Sequence, residues 1–225
     1  MNHPLQLGVL GALGRMGKRV CALASKDPRF HLAALIHREN FAQIPWSGLD
    51  VVVDFSSPKG SLSILKKAAL EKVPVVIGVT GFSSDQISQI KVVSRKIPVF
   101  LASNFSPGIF WMKRLVSEIS RALPRYDMSI LEVHHKAKKD APSGTAKDIA
   151  QLLDGKAKIH SLRVGDIVGE HTVVLAGPFE RLEITHRAHS RDVFAHGALE
   201  AALWLKRQCP GLYGMEDLFK ENAKA

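Results

Sequence analysis

The sequence contains few cysteines, few aromatic residues and no long apolar run. Two cysteines, Cys21 and Cys209, stand far apart among the 225 residues, so they indicate neither a disulfide framework nor a zinc site. We therefore expect a reducing, cytoplasmic compartment. The longest apolar stretch, from Val73 to Phe82, is interrupted by Pro74 and two glycines and is shorter than the roughly 18 residues that span a bilayer. We expect no membrane segment.

The charge balance is strongly positive, with 31 lysines and arginines against 21 acidic residues and a net charge of +10. An RGG tract, a CxxC pair and an RNP-type motif are all missing, so nucleic-acid binding is not expected. A positive balance equally suits an enzyme that binds small anions. Hydrophobic residues make up 46% of the chain, which excludes a disordered protein and provides one large core or two small ones.

The first hundred residues alternate short apolar runs with segments of helical periodicity. Pro58 suits the first turn of a helix, and Ser83 with Gln86 forms a capping box. Strands that alternate with helices predict an α/β fold with a parallel sheet covered on both faces. The predicted strands are Leu5 to Leu10, Leu32 to Ile36, Val51 to Phe55, Val75 to Val79 and Val99 to Ala102.

The pattern changes after about Pro107, where a helix leads into an extended segment from Asp127 to His134. Beyond a predicted helix at Thr145 to Leu153, short alternating runs are separated by glycines, which is typical of antiparallel strands. The chain then returns to a helix and a short final element that ends near Leu218. The predicted runs are strands at Lys158 to Val164, His171 to Leu175 and Arg181 to Arg187, and a helix at Ala195 to Arg207.

A glycine-rich turn lies between the first predicted strand and the first predicted helix. Gly11, Gly14 and Gly17 recur at every third residue. Backbone N–H groups and a helix N-terminus in such a turn can bind the pyrophosphate of a dinucleotide. The spacing is not the strict GxGxxG, so a tight structural turn is the alternative interpretation.

The residues after the second predicted strand bear on cofactor choice. An NAD-specific enzyme carries an acidic residue there, whereas this chain has His37, Arg38 and Glu39. The guanidinium of Arg38 can bind a 2′-phosphate, which favours NADP. Glu39 leaves NAD use open, and a solvated strand end is the alternative interpretation.

The segment EVHHKAKKDAPSGTA, from Glu132 to Ala146, combines acid–base groups with basic residues. In an extended strand His134 and His135 point to opposite faces, so they make a poor metal site and no metal is expected. His134, Lys136 and Lys138 can share one side of such a strand. Crowded ammonium groups repel one another, which makes the least solvated one a better proton donor, and we identify it as Lys138.

The end of the same segment predicts an anion site. Ser143 and Gly144 open a predicted helix, whose free backbone N–H groups and nearby hydroxyls can bind a carboxylate. The alternative is a solvated basic loop in which Ser143 is only a helix cap. Spacing alone does not decide between the two.

With these motifs in hand, the sequence resembles the dihydrodipicolinate reductases, which reduce a cyclic unsaturated dicarboxylate in lysine and diaminopimelate biosynthesis. The resemblance covers most of the chain, and the HHKAKKDAPSGTA block is its most specific part. The blocks that carry it are GALGRMG at Gly11 to Gly17, VDFSSP at Val53 to Pro58, VIGVTGF at Val76 to Phe82, SNFSPG at Ser103 to Gly108, EVHHKAKKDAPSGTA, GDIVGEHT at Gly165 to Thr172, and ERLEITHRAHSR at Glu180 to Arg191.

The resemblance implies a Rossmann-like dinucleotide-binding domain at residues 1–106 and 195–225. An inserted α+β substrate and tetramerisation domain, built on an open mixed sheet, occupies residues 107–194. It also implies NADPH as cofactor with NADH possible, a small dicarboxylate substrate and a homotetramer. By similarity, the cofactor residues are Gly11, Ala12, Leu13, Gly14, Arg15, Met16, Arg38, Gly78, Val79, Thr80, Ser103, Asn104, Phe105 and Ser106; the catalytic pair is His134 and Lys138; and the substrate ligands are His135, Lys138, Ser143, Gly144 and Thr145.

The sequence departs from the family in two respects. His37 replaces the acidic residue that often follows the second strand, and the interval from Glu39 to Asp50 is short. Other readings of the two motifs are a reductase of the same layout with a different anionic substrate, or a catalytically silent dinucleotide-sensing or nucleic-acid-binding protein. Retention of both His134 and Lys138 argues against the silent protein.

Overall fold

The computed structural model describes residues 3–37, 40 and 43–222, which divide into two compact units. The first unit runs to Phe105 and resumes at Phe194, and the second comprises Ser106–Val193. The sequence analysis divided the chain one residue later at each point. No helix among the described residues is long and apolar enough to cross a membrane.

Strands and helices alternate through the first unit and give way to a run of strands in the second. The strands are β1 (Leu5–Leu10), β2 (Phe30–Ile36), β3 (Val51–Asp54), β4 (Val75–Ile77), β5 (Pro98–Leu101), β6 (Asp127–His134), β7 (Lys158–Arg163), β8 (Gly169–Ala176), β9 (Arg181–Ala188) and β10 (Gly211–Tyr213). The helices are α1 (Arg15–Ala24), α2 (Pro58–Glu71), α3 (Ser84–Ser94), α4 (Pro107–Ala122), α5 (Gly144–Leu152), α6 (Asp192–Leu205) and α7 (Met215–Asn222).

The first unit is built on a parallel sheet with strand order β10-β5-β4-β3-β1-β2. Strand β3 is buried along its whole length, as expected for a strand covered on both faces. The order reverses between β1 and β3, and the crevice outside the carboxyl ends of strands at such a point is where α/β proteins bind their ligands. The predicted Rossmann-like parallel sheet is confirmed.

Local sequence signals within this unit are also confirmed. Ser83 accepts a hydrogen bond from the amide of Gln86, and the Gln86 side chain accepts one from the Ser83 amide, which completes the predicted capping box of α3. Strand β10 was not predicted, because three residues are too few to display a period.

Helix α6 packs against the parallel sheet although it follows the second unit in sequence. Its Ala198 and Ala202 are buried in the same core as Phe100 of β5 and Phe105. A Cβ atom added to Gly197 would lie 2.0 Å from the carbonyl oxygen of Phe105, so only glycine permits this approach. The helix therefore belongs to the core of the first unit.

The second unit is built on a four-stranded mixed sheet in the order β7-β6-β8-β9. Strands β6, β8 and β9 pair antiparallel, but β6 and β7 are parallel because helix α5 connects them as a crossover. The open mixed sheet is confirmed, whereas the purely antiparallel pattern read from the strand periodicity is wrong at this pair. One face of the sheet packs against α4 and α5 through a core that includes Met112, Ile130, Ile149 and Val173.

Candidate active site

The glycine-rich turn connects β1 to α1 at the carboxyl edge of the parallel sheet. Gly11 has φ +78°, and a Cβ atom there would lie 2.9 Å from the carbonyl oxygen of Phe55. A Cβ atom on Gly17 would lie 2.1 Å from the Gly11 carbonyl oxygen. Gly14 is the N-cap of α1, and no side chain caps the helix. The turn thus brings bare backbone close to the helix start, which fits a dinucleotide pyrophosphate.

The other predicted cofactor residues follow β4 and β5 at the same edge. Because β1, β3, β4 and β5 are adjacent and parallel, the loops after them lie side by side. A Cβ atom on Gly78 would lie 2.1 Å from the Phe55 ring, so glycine is required beside that side chain. The members of this set differ in exposure. Leu13, Gly14, Arg15, Thr80 and Ser103 are exposed, Gly11, Met16, Gly78 and Asn104 are half-buried, and Ala12, Val79, Phe105 and Ser106 are buried.

Three predicted cofactor residues have a different setting from the rest. Phe105 is a core residue, with its ring 5.8 Å from the rings of Phe55 and Phe100. Ser106 belongs to the second unit and caps helix α4. Arg38, on which the preference for NADP rests, lies outside the described residues.

A row of polar side chains crosses the helix-covered face of the mixed sheet. Glu132 of β6 stands opposite Ser161 of β7 and His171 of β8, and His171 stands opposite His186 of β9. Glu132 and His171 are buried, and apolar Ile130 and Val173 lie next to them on the same face. His134 follows two residues after Glu132 and is also buried. The strand register therefore gathers one carboxylate and three imidazoles.

Two of these histidines hold the first residues of the two helices. Ser143 caps α5, and its hydroxyl lies 3.3 Å from Nε2 of His171. Ser106 caps α4, and its hydroxyl lies 3.1 Å from Nε2 of His186. Both helices thus begin at a serine that is hydrogen-bonded to the sheet. The start of α5 is thereby fixed beside the polar row.

Glu132 is the most heavily bonded member of the row. One carboxylate oxygen is hydrogen-bonded to Nδ1 of His134. The other accepts hydrogen bonds from the Arg163 guanidinium at 2.6 Å and from the Ser143 amide at 3.2 Å. Burial raises the pKa of Glu132, but hydrogen bonds from Arg163 and Ser161 and the neighbouring His134 outweigh it and lower the pKa to about 2. Glu132 is therefore an anion at neutral pH.

The histidines are neutral at the same pH. Burial, reinforced by the neighbouring His134, lowers the pKa of His171 to about 3. Burial also lowers the pKa of His186. Burial lowers the pKa of His134 as well, although the nearby Glu132 carboxylate opposes this shift. Nδ1 of His171 and Nδ1 of His186 are buried without a hydrogen-bond partner. Neutral rings in this position can exchange protons without first losing a stable charge.

Lys138 lies in a turn that follows β6. The strand ends at His134, the amide of Lys138 donates to the carbonyl of His135 at 3.0 Å, and Lys136 is exposed. The prediction that His134, Lys136 and Lys138 share one side of an extended strand is therefore wrong. The Lys138 ammonium pairs with the two carboxylate oxygens of Asp140 at 2.7 and 2.8 Å, so an acidic neighbour offsets the expected repulsion among lysines.

The predicted substrate ligands lie at the end of this loop and the start of α5. Ser143 is buried, His135 and Thr145 are half-buried, and Gly144 is exposed. A Cβ atom on Gly144 would meet nothing within 4 Å, so its backbone borders open space. The structure thus brings His134, Ser143 and the start of α5 to one end of the mixed sheet. Lys138 is joined to the same network through Asp140, whose carbonyl accepts from Arg163 at 2.6 Å.

Glu132, His134 and His171 also offer three potential metal ligand atoms within 4.8 Å of one another. The sequence indicates only the adjacent pair His134 and His135, because the members of this group come from two strands. The Arg163 guanidinium already neutralises the Glu132 carboxylate. A fixed positive charge at this distance opposes a second cation, so the cluster reads better as a hydrogen-bonded network.

Five residues of the network were not singled out from the sequence: Glu132, Asp140, Arg163, His171 and His186. One signal was available, because Glu132 occupies an inward position between Ile130 and His134 on a strand whose burial alternates. An inward acidic residue requires a buried partner. The partners themselves come from other strands, and no local pattern identifies them.

The fold and site together define a two-unit α/β protein with a dinucleotide-type glycine turn in one unit and an acid–base network in the other. Comparison with known families identifies one family along nearly the whole chain. Residues 5–105 match the family model described as dihydrodipicolinate reductase, N-terminus, and residues 108–219 match the model for its C-terminus. The chain belongs to the dihydrodipicolinate reductase family.

Relatives of this family are similar over nearly the whole chain. A 4-hydroxy-tetrahydrodipicolinate reductase from Caldanaerobacter subterraneus is 41% identical, with 97% of this chain and 99% of the relative covered. One from Nitratidesulfovibrio vulgaris is 36% identical, with 94% and 98% covered. The dipicolinate-bound dihydrodipicolinate reductase from Paenisporosarcina sp. TG-14 has the same fold, with a TM-score of 0.79, 21% identity, and 95% and 99% covered.

The neutral buried histidines predict acid sensitivity. The unfolded chain protonates histidine near pH 6.5, whereas folded His171 resists protonation down to about pH 3, so protons favour unfolding between these values. The free energy of unfolding should fall by up to about 1.4 kcal/mol per pH unit for each such histidine below pH 6.5. Below about pH 4.5 the lowered pKa of Glu132 adds to the loss.

Urea denaturation at a series of pH values between 5 and 8 measures this slope. Replacement His171→Gln should flatten it, while His31→Gln, at an exposed position of β2 in the first unit, serves as the control. Equal slopes for wild type and His171→Gln would contradict the assignment.

Proposed function

We propose that this protein reduces 4-hydroxy-tetrahydrodipicolinate to tetrahydrodipicolinate, with a reduced nicotinamide dinucleotide as hydride donor, in lysine and diaminopimelate biosynthesis. The observation that carries the proposal is the arrangement at one end of the mixed sheet. A carboxylate-bound histidine and a lysine loop lie next to the start of α5, where the backbone of Gly144 borders open space. A dicarboxylate that must be both anchored and protonated needs these groups.

The proposed cofactor site lies in the first unit. The bare backbone at Gly11 to Met16 would bind the pyrophosphate, because Gly11, Gly14 and Gly17 leave no side chain over the start of α1. Gly78 to Thr80 and Ser103 to Ser106 would contact the ribose and nicotinamide. When bound, the reduced nicotinamide supplies a hydride to the substrate.

The proposed substrate anchor is the start of α5. Amide N–H groups and the hydroxyls of Ser143 and Thr145 would hold one carboxylate, with Gly144 giving it close access to the backbone. His135 and Lys138 would offset the charge of the substrate. The fixed contact between Ser143 and His171 supports this role, because it holds the helix start in place before a ligand arrives.

The proposed chemistry is protonation of the substrate ring after hydride transfer. The 4-hydroxyl group of the substrate would leave as water before or during reduction. Addition of hydride to the conjugated ring would then leave an electron pair on it, and a proton must neutralise that pair. Lys138 would donate that proton from Nζ, and His134 would relay protons to the site. Positive charge around the pocket, from Lys138 and Arg163, would lower the energy of the transient anion.

Turnover by the wild-type enzyme tests the function, and turnover by a Lys138 variant tests the mechanism. The wild-type enzyme should oxidise NADPH, followed by absorbance, when supplied with fresh dihydrodipicolinate synthase product. Lys138→Ala should reduce kcat by about 10²- to 10⁴-fold, because a positioned acid contributes this much to rate. Lys136→Ala, on the exposed part of the same loop, should stay within about twofold of wild type, as expected for a residue outside the network.

Two outcomes would count against the proposal. A kcat for Lys138→Ala within a few fold of wild type would remove the lysine from proton transfer. A wild-type protein that does not reduce the proposed substrate but does reduce a different anionic substrate would favour the alternative reductase.

We further propose NADPH as the preferred cofactor, with NADH also used, because Arg38 can bind a 2′-phosphate. Arg38→Ala should raise KM for NADPH by about tenfold or more, since hydrogen bonds to charged groups contribute about 1.5 to 3 kcal/mol, and should leave KM for NADH nearly unchanged. Lys26→Ala, an exposed charge loss in the same unit, controls for the general field. Equal changes for both cofactors would exclude Arg38 from phosphate binding.

We propose a homotetramer that assembles through the mixed sheet, and a cytoplasmic location consistent with two free cysteines. The face of the sheet opposite α4 and α5 carries the alternating exposed residues of β6 and β7, among them Leu131 and Leu162, and β7 and β9 are edge strands. Unpaired edges and an exposed apolar face favour pairing with another copy.

Light scattering should give four times the 24.7 kDa chain mass at micromolar concentration. Leu131→Lys should shift the mass downward because it places a charge on this face, whereas Leu70→Lys, at an exposed position of α2, should not. A monomeric wild-type protein would contradict the assembly.

A further inference from the structure

We infer that Glu132 is a positioning residue for the reduction: it fixes His134 in one tautomer and ties that ring to the helix start that anchors the substrate. The inference rests on the proposed function, which gives His134 its acid–base role. It adds a residue to which neither the sequence motifs nor the family blocks gave a role.

The geometry gives the two carboxylate oxygens of Glu132 different tasks. One oxygen is bonded to Nδ1 of His134, which lies two residues further along the same face of β6. The other accepts from Arg163 at 2.6 Å and from the Ser143 amide at 3.2 Å. Glu132 is fully buried, so water does not compete for these positions. One side chain therefore sets the relative placement of the imidazole and the first residue of α5.

The charge state of Glu132 determines the tautomer of His134. An ionised carboxylate only accepts hydrogen bonds, so Nδ1 of His134 must carry the hydrogen between them. In the neutral ring Nε2 then holds the lone pair, and proton exchange occurs at that atom. Arg163 supports this state from β7 because it keeps the carboxylate ionised.

The surroundings of Nε2 agree with this assignment. A Cβ atom on Gly169 of β8 would lie 3.0 Å from Nε2 of His134, so the glycine leaves room at the exchanging atom. The charged and titratable groups around the ring are Glu132 from β6, Arg163 from β7, His171 from β8 and Lys138 from the loop. Among these groups only Glu132 stabilises the imidazolium. Its carboxylate is therefore the charge partner of the ring when the ring accepts a proton.

Glu132→Gln separates this role from simple packing. The amide keeps the size and one oxygen for Arg163 and Ser143, but its nitrogen donates to Nδ1, which moves the hydrogen of the neutral ring to Nε2. We expect kcat to fall on the order of 100-fold and KM for the substrate to change by less than about threefold, because acid–base catalysis is lost while the anchor stays in place.

Neutron diffraction from crystals exchanged into D2O locates the proton directly. We expect a deuteron on Nδ1 of His134 in the wild-type protein and on Nε2 in Glu132→Gln. Ile130→Val, a truncation on the same strand and face, is the matched control. It should lower Tm slightly and leave both the tautomer and kcat unchanged.

The outcomes separate the inference from the function on which it rests. A neutral wild-type His134 protonated at Nε2 overturns the inference even if Glu132→Gln fails to fold, and leaves the proposed activity intact. A switched tautomer with unchanged kcat overturns both the positioning role and the acid–base role of His134. A wild-type enzyme that does not reduce the proposed substrate overturns the function and, with it, the role of Glu132 in that reduction. The tautomer that Glu132 sets still stands in that case, because it is measured without turnover.

Discussion

A carboxylate withdrawn from water is unstable unless donors replace the water it loses, and the interior of the second unit is organised around that requirement. Glu132 meets this requirement with three donors: His134 on its own strand, Arg163 on the neighbouring strand, and the backbone amide of the helix cap Ser143. Each donor is constrained in return. The helix start, the acid–base ring and the end of β7 are therefore fixed by the same side chain.

The first unit could be predicted in some detail from sequence because its signals are local. Strand β1 and the glycine turn are consecutive in the chain, and the capping box needs only Ser83 and Gln86. A parallel sheet buried on both faces leaves short, nearly continuous apolar runs that are easy to recognise. Prediction fails where an element is short, as for β10, or where a residue in a turn, such as Phe105, is part of the core.

The polar network could not be predicted in the same way, because register creates it. Glu132, His171 and His186 are far apart in sequence and become neighbours only when three strands pair in one alignment. A shift of one residue would turn each of them to the opposite face. The family blocks contain all three residues, but a block states that a residue recurs in a motif and does not say what it touches. The loop at Lys138 differs for another reason. The end of β6 depends on the hydrogen bond from the Lys136 amide to the Gly165 carbonyl, which periodicity does not record.

If Lys138 binds the substrate as proposed, its pairing with Asp140 would make that binding an ion exchange. The ammonium already has a resident counter-ion, so an incoming carboxylate would compete with Asp140 for Lys138. The net free energy gained at Lys138 would be the difference between the ion pair with the ligand and the ion pair with Asp140. This difference is small for a ligand with a single anionic group. A ligand that also satisfies the amides at the start of α5 compensates for the displaced partner at a second point. A site of this kind would therefore discriminate by the number of anionic groups a molecule presents and by their separation.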